Sequence, residues 1–285
     1  MRGVSVVVDT GGVEAREFAS TVAAVVTRHA PPDPWRPGLA VSDADGDLER
    51  ALSDAGWDEL GGDSNLLPFV APAAEALGRG FASLQPVDRL LGGPLRLGAL
   101  ARYATEGGPL VEPRGGRLQI GTATRLQPVP YTDSLGVARV DAGRPVAVAG
   151  ENASRRMAAW AAASTGYFAG VAGKALDLAL EHARSRRAFG GTLAALEPVQ
   201  QMLADVATLT DGLRLLTGGG SGDVPGLDAL AYAGEAAERV TAICMQVTGA
   251  LGFTLEFPLQ RAYRRSRSAR AWADAALLAW EEPAE

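Results

Sequence analysis

The chain has little of the chemistry that staples small secreted proteins, binds nucleic acids or holds metals. It has one cysteine, Cys244, so neither a disulfide framework nor a cysteine-based metal site can be built. Lys174 is its single lysine, and arginine supplies the other 26 of its 27 basic residues. Acidic residues number 33, and the net charge of −6 excludes the basic stripe that counterion release requires of a nucleic-acid binder. No run of about 18 apolar residues occurs, so no membrane-spanning helix is expected. The stretch Val4 to Val8 is too short for the apolar core of a signal peptide, which predicts a cytoplasmic protein. The acidic run Asp43-Ala44-Asp45-Gly46-Asp47 invites a calcium reading. Its glycine falls at the fourth place and Leu48 at the sixth, where a calcium loop needs its turn glycine, so no metal is expected. No Gly-x-Gly-x-x-Gly opens a helix and no phosphate-cradling Walker sequence exists.

What is present is enough to fold. With 285 residues, 47% of them hydrophobic, the chain can bury roughly 70 to 75% of its unfolded surface and needs no staple. Its 35 glycines and 17 prolines crowd between residues 30 and 150, so the two halves differ in kind. From Val13 to Ala30, Phe18, Val22, Val25 and Val26 recur near helical spacing, and Pro31-Pro32-Asp33-Pro34 ends that pattern. A second helix is predicted from Asp45 or Asp47 to Gly56, with helical pieces at Pro72 to Leu77 and Pro86 to Leu91. Between residues 92 and 150, Gly-Gly-Pro and Arg-Gly-Gly-Arg turns separate short apolar runs that predict short strands. Beyond Ser154 the pattern becomes four long helices: about Ser154 to Arg187, one from Pro198 past Leu216, Leu227 to Thr248, and Pro258 to Trp280. Short loops between helices of this length suggest an antiparallel bundle.

Four motifs stand in order along that half. Gly173-Lys174-Ala175-Leu176-Asp177 runs on through Arg184-Ser185-Arg186-Arg187-Ala188-Phe189-Gly190. Leu196-Glu197-Pro198-Val199-Gln200-Gln201 follows, then Gln246-Val247-Thr248-Gly249-Ala250-Leu251-Gly252-Phe253, then Leu255-Glu256-Phe257-Pro258-Leu259-Gln260-Arg261. Together they resemble the acyl-CoA dehydrogenase superfamily, of which this would be a short, divergent member. The resemblance implies a mostly α fold with a reduced central β-domain: a helical domain over 1–92, a truncated β-domain over 93–150 and a four-helix bundle over 151–285. It also implies FAD, with Arg186 reaching the flavin pyrophosphate and Phe189 lining the dinucleotide. Gln246, Gly249 and Gly252 would form a turn that lets backbone approach the adenosine half. Implied partners are an acyl or polyketide-like small molecule and either a homodimer or tetramer, or a heteromer with a full-length paralogue.

Two departures qualify the expected activity. The family's glutamate base would fall at Ala273 or, in other members, at Trp160, and neither can take a proton. Asp274, one residue on, is the substitute candidate. The arginine expected to hold CoA falls at Ala161, with Arg155 and Arg156 upstream. The β-region is also short for the family. Three readings follow: a flavin-dependent dehydrogenase with an unusual base; a degenerate subunit lending flavin contacts to a partner; or a flavin-free cyclase or dehydratase of secondary metabolism. The last would use a cleft lined by Trp160, Tyr167, Phe168 and Trp272. His182 is expected to be exposed, and Cys244 to be a buried small hydrophobe.

Overall fold

A computed structural model describes residues 10–29, 43–129, 136–143, 146–147, 150–188, 190–218 and 224–283; Phe189, Pro31 to Pro34 and Tyr131 lie outside them. The first helix, α1 (Thr10–His29), is followed by α2 (Asp43–Asp54), α3 (Leu67–Arg79) and the short α4 (Gln85–Arg89). α3 starts five residues before the predicted piece and carries Pro72 inside it. Its small apolar face, Val70, Ala71, Ala73, Ala74 and Leu77, is buried, so packing overrides the missing proline N–H.

The strands are β1 (Arg96–Leu97), β2 (Leu100–Arg102), β3 (Pro109–Arg114), β4 (Arg117–Pro128), β5 (Val137–Ala142) and β6 (Val146–Ala147). They form one antiparallel sheet in the order β1-β2-β5-β4-β3, with β6 also paired to β4. At 12 residues β4 is longer than the short strands predicted, because it turns between two partners through a register shift between Ala123 and Arg125. The Arg114 to Arg117 turn between β3 and β4 reaches the far end of the bundle. There the Gly115 and Gly116 N–H groups donate to the carbonyls of Ala279 and Trp280, at 3.0 and 2.7 Å.

The 36-residue α5 (Gly150–Ser185) is the axis of the molecule. After it come the small hairpin β7 (Arg187–Ala188) and β8 (Gly191–Thr192), then α6 (Glu197–Leu216), α7 (Leu227–Thr248) and α8 (Leu259–Glu281). α5 packs on α6, α7 and α8 to make the bundle and on α3 from the other side, so it is buried nearly all round. Alanine and glycine make that possible. A Cβ at Gly166 would collide with the carbonyl of Ala71, and one at Gly170 with that of Glu75, so the two helices touch backbone to backbone. Among the described residues no helix is long and apolar enough to cross a membrane.

Candidate functional site

Trp160 and Ala273, far apart in sequence, meet inside the molecule. Trp160 lies in the first third of α5 and Ala273 on α8, and both line one void of about 10 Å³ with Leu84, Arg102, Ser164, Tyr167, Phe168 and Ala269. That volume is about the least one water needs. The cleft expected at Trp160, Tyr167, Phe168 and Trp272 is therefore closed: the first three are each 1% exposed, and Trp272 stands behind Arg102.

An ion pair that the sequence reading did not single out closes it. Arg102, at the end of β2, donates from Nε to Asp88 Oδ2 at 2.6 Å and from Nη2 to Oδ1 at 2.5 Å. Trp160 Nε1 adds a third donor to Oδ1 at 3.2 Å. The guanidinium also lies 5.4 Å from the centre of the Trp272 ring, a cation–π distance. Both ions are almost wholly buried, at 2% and 1% exposure. On the other wall Tyr167 donates to the Ala82 carbonyl at 2.7 Å, and the buried Arg265 donates to that carbonyl and to the Tyr167 oxygen, both at 2.8 Å. Phe81 and Tyr103, the segment's two left-handed non-glycine residues (φ 51° and 57°), flank this wall. The Tyr103 oxygen accepts from the Leu84 N–H at 3.1 Å, and burial pushes its phenol up to about 12. No local signal separates Asp88 or Arg102 from a surface ion: each sits among ordinary helix-end or strand residues, and only the fold brings them together.

Asp274 does not enter this space. One step along α8 turns a side chain by about 100°, and its carboxylate accepts from Arg270 Nε at 3.3 Å while Arg270 Nη1 holds Glu238 at 2.9 Å. Nearly half of the side chain is exposed. Upstream, Arg156 donates to the Leu91 carbonyl at 3.2 Å and Arg155 to Asn152 at 2.6 Å, while Ala161 is buried.

Of the residues assigned to a flavin, Arg186 lies just past the end of α5 and Gln246, Gly249 and Gly252 at the end of α7, while Phe189 lies outside the described residues. Arg186 is exposed, its N–H donating to the His182 carbonyl at 2.8 Å and its own carbonyl accepting from Leu193 at 2.9 Å. Its guanidinium has no hydrogen-bonding partner among the described residues. His182 is half-buried and meets Phe257 edge-on at 6.1 Å, which ties this helix end to the segment after α7. Burial first, then the neighbouring Arg186 charge, lowers its pKa below 6.5. Gln246 is exposed on the last turn of α7, and Gly249 ends that helix at φ 60°, ψ −141°, with nothing within 4 Å of where a Cβ would stand. Gly252 differs: it is buried, and a Cβ there would meet Thr248 Oγ1. Uncommitted donors and one open stretch of backbone suit a phosphate-bearing group laid along the bundle end from outside. Cys244 is wholly buried, and burial pushes its thiol up to about 12.

The site thus sits on a helical bundle with a side sheet, a filled interior and open donors at one end. The family model for the C-terminal domain of acyl-CoA dehydrogenases matches residues 142–219 and 228–273. The curated 3-sulfinopropanoyl-CoA desulfinase of Paraburkholderia xenovorans is 36% identical over 105 residues, 34% of this chain and 27% of that protein. The chain thus aligns with about a quarter of the length of the curated relatives it matches. Solved structures extend the likeness of fold to almost the whole chain. The Tcur3481-Tcur3483 steroid ACAD G363A variant superposes with a TM-score of 0.67 at 17% identity, covering 95% of this chain and 97% of that one. The ChsE4-ChsE5 complex from Mycobacterium tuberculosis gives 0.66 at 18%, covering 92% and 93%. Residues 142–219 and 228–273 thus resemble the C-terminal domain of acyl-CoA dehydrogenases, and the fold of almost the whole chain is like that of these solved structures.

Proposed function

We propose that this chain is the subunit without its own base in an acyl-CoA dehydrogenase-type heteromer, holding part of a flavin whose reaction is completed on the partner. One observation carries the reading: both positions that would offer a base, Trp160 and Ala273, line the same void of about 10 Å³, walled by Arg102, which Asp88 holds in place. An acyl group has no room there. A cyclase or dehydratase would need a cleft at the same place, so the filling argues against that reading as well.

The family is typically FAD-dependent, and a bound flavin would supply the hydride acceptor for an acyl thioester. This chain's share would be binding. Arg186 would donate to a pyrophosphate oxygen, Gln246 would orient the adenosine half, and Gly249 would let the chain approach without a Cβ in the way. The two similar solved structures reported above are named as pairs, which supports looking for a second chain. The division at residues 92 and 150 is part of the same proposal.

Expression alone and together with a full-length acyl-CoA dehydrogenase paralogue tests it. Alone, the chain should purify without stoichiometric flavin; together, a stable complex should show flavin absorption and oxidise an acyl-CoA. Arg186→Ala in the complex should lower flavin occupancy, since one charge-assisted phosphate contact contributes roughly 1.5 to 3 kcal/mol. One flavin per chain and acyl-CoA oxidation by the chain on its own would overturn the proposal.

A further inference from the structure

An open groove of about 810 Å³ runs between α1, α3, α5 and the start of α8. Its volume is that of a small-molecule site. The floor is apolar, with Ala23 and Val26 of α1, Ala76 of α3 and Phe81 just beyond it. The rim carries four basic side chains, Arg16, Arg79, Lys174 and Arg261, against one carboxylate, Glu75. In a protein of net charge −6 this reverses the overall sign. The shallower recess at the end of α5, with Asp177, Glu181 and Arg184, has no such excess.

The pairing within the groove sharpens the argument. Arg79 is held by Asp177, and Glu75 lies 3.8 Å from Arg214. Arg261 rests over the Phe81 ring at 5.4 Å. Lys174, half-buried, and Arg16 make no side-chain hydrogen bond or ion pair with a described residue. Two uncommitted cations above an apolar floor, in a cleft with low-dielectric walls, focus a positive potential on whatever enters. Lys174 lies fourteen residues beyond Trp160, about 21 Å along the helix, so the groove is separate from the filled void.

We infer that this groove binds an anionic amphiphile, with its hydrocarbon along Ala23, Val26, Ala76 and Phe81 and its carboxylate or phosphate head at Lys174 and Arg16. The inference stands independently of the flavin assignment. Calorimetry on the full chain at low salt, with decanoate, decyl phosphate and decanol, tests it. Saturable 1:1 binding is expected for one or both anions, which identifies the preferred head, and none for decanol. Lys174→Gln should weaken anion binding about tenfold, the loss of one charge-assisted contact at a partly wet rim. Ala23→Trp, at an exposed position, should block the floor and leave the melting temperature unchanged. Because Lys174 is the only lysine, its reductively methylated side chain gives a single lysine signal that should shift as ligand is added. Absence of saturation at millimolar ligand, equal binding of decanol, or unchanged affinity in Lys174→Gln would overturn the inference.

Discussion

Asp88 and Arg102 show how much a single pair can decide. Each is costly to bury alone, and their bidentate geometry with the Trp160 donor repays that cost only while both are present. Arg102→Met should therefore destabilise the fold by about 3 to 5 kcal/mol in urea unfolding, whereas joint replacement by Asp88→Leu and Arg102→Met should recover much of the loss. At the bundle end, His182 gives a pH signature. Its folded-state pKa lies below 6.5, so between that value and 6.5 the unfolded chain binds more protons. Its contribution to stability is complete above about 6.5 and is lost as pH falls through the folded value. With only two histidines, NMR titration can follow it directly. Arg186→Ala should raise its pKa by removing the nearby positive charge. Residue identity alone predicted the burial of Cys244, because a thiol on an apolar helix face has few other places to go, whereas the aromatics expected to line an open cleft are packed into a closed interior. It gave no hint of Asp88, whose partner lies fourteen residues away on another element.

Among elements, the contact between α3 and α5 is the tightest joint. Gly166 and Gly170 of α5 meet the carbonyls of Ala71 and Glu75 so closely that any side chain must push the helices apart. Gly170→Leu should cost about 3 kcal/mol or more by overpacking, read as a lowered urea midpoint. Glu75 lies at this joint, and burial raises its carboxyl pKa against the opposing pull of Arg214 and Arg79. The long helices were legible because their apolar positions repeat over several turns, so errors of a few residues at the ends do not change the pattern. The helix around Pro72 and the 12-residue β4 were less so. Proline signalled a helix start where packing carries the helix through, and β4 draws its length from pairing with two strands distant in sequence.

For the whole molecule, the turn after α7 presents Leu251, Phe253 and Leu255 to solvent, at 39%, 69% and 55% exposure, beside Gln246 and Gly249. If the heteromer proposal holds, Phe253→Asp should abolish the complex in size-exclusion chromatography while leaving the isolated chain's melting temperature unchanged, since the side chain packs against little within this chain. The amino-acid order by itself determined the helical bundle and the smaller sheet ahead of it, because each rests on local periodicity or a contiguous string of residues. Only the tertiary structure decided that Trp160 and Ala273 share one space and that this space is filled. That outcome depends on Asp88, Arg102 and two helices in backbone contact, and such long-range burial leaves no trace in local sequence.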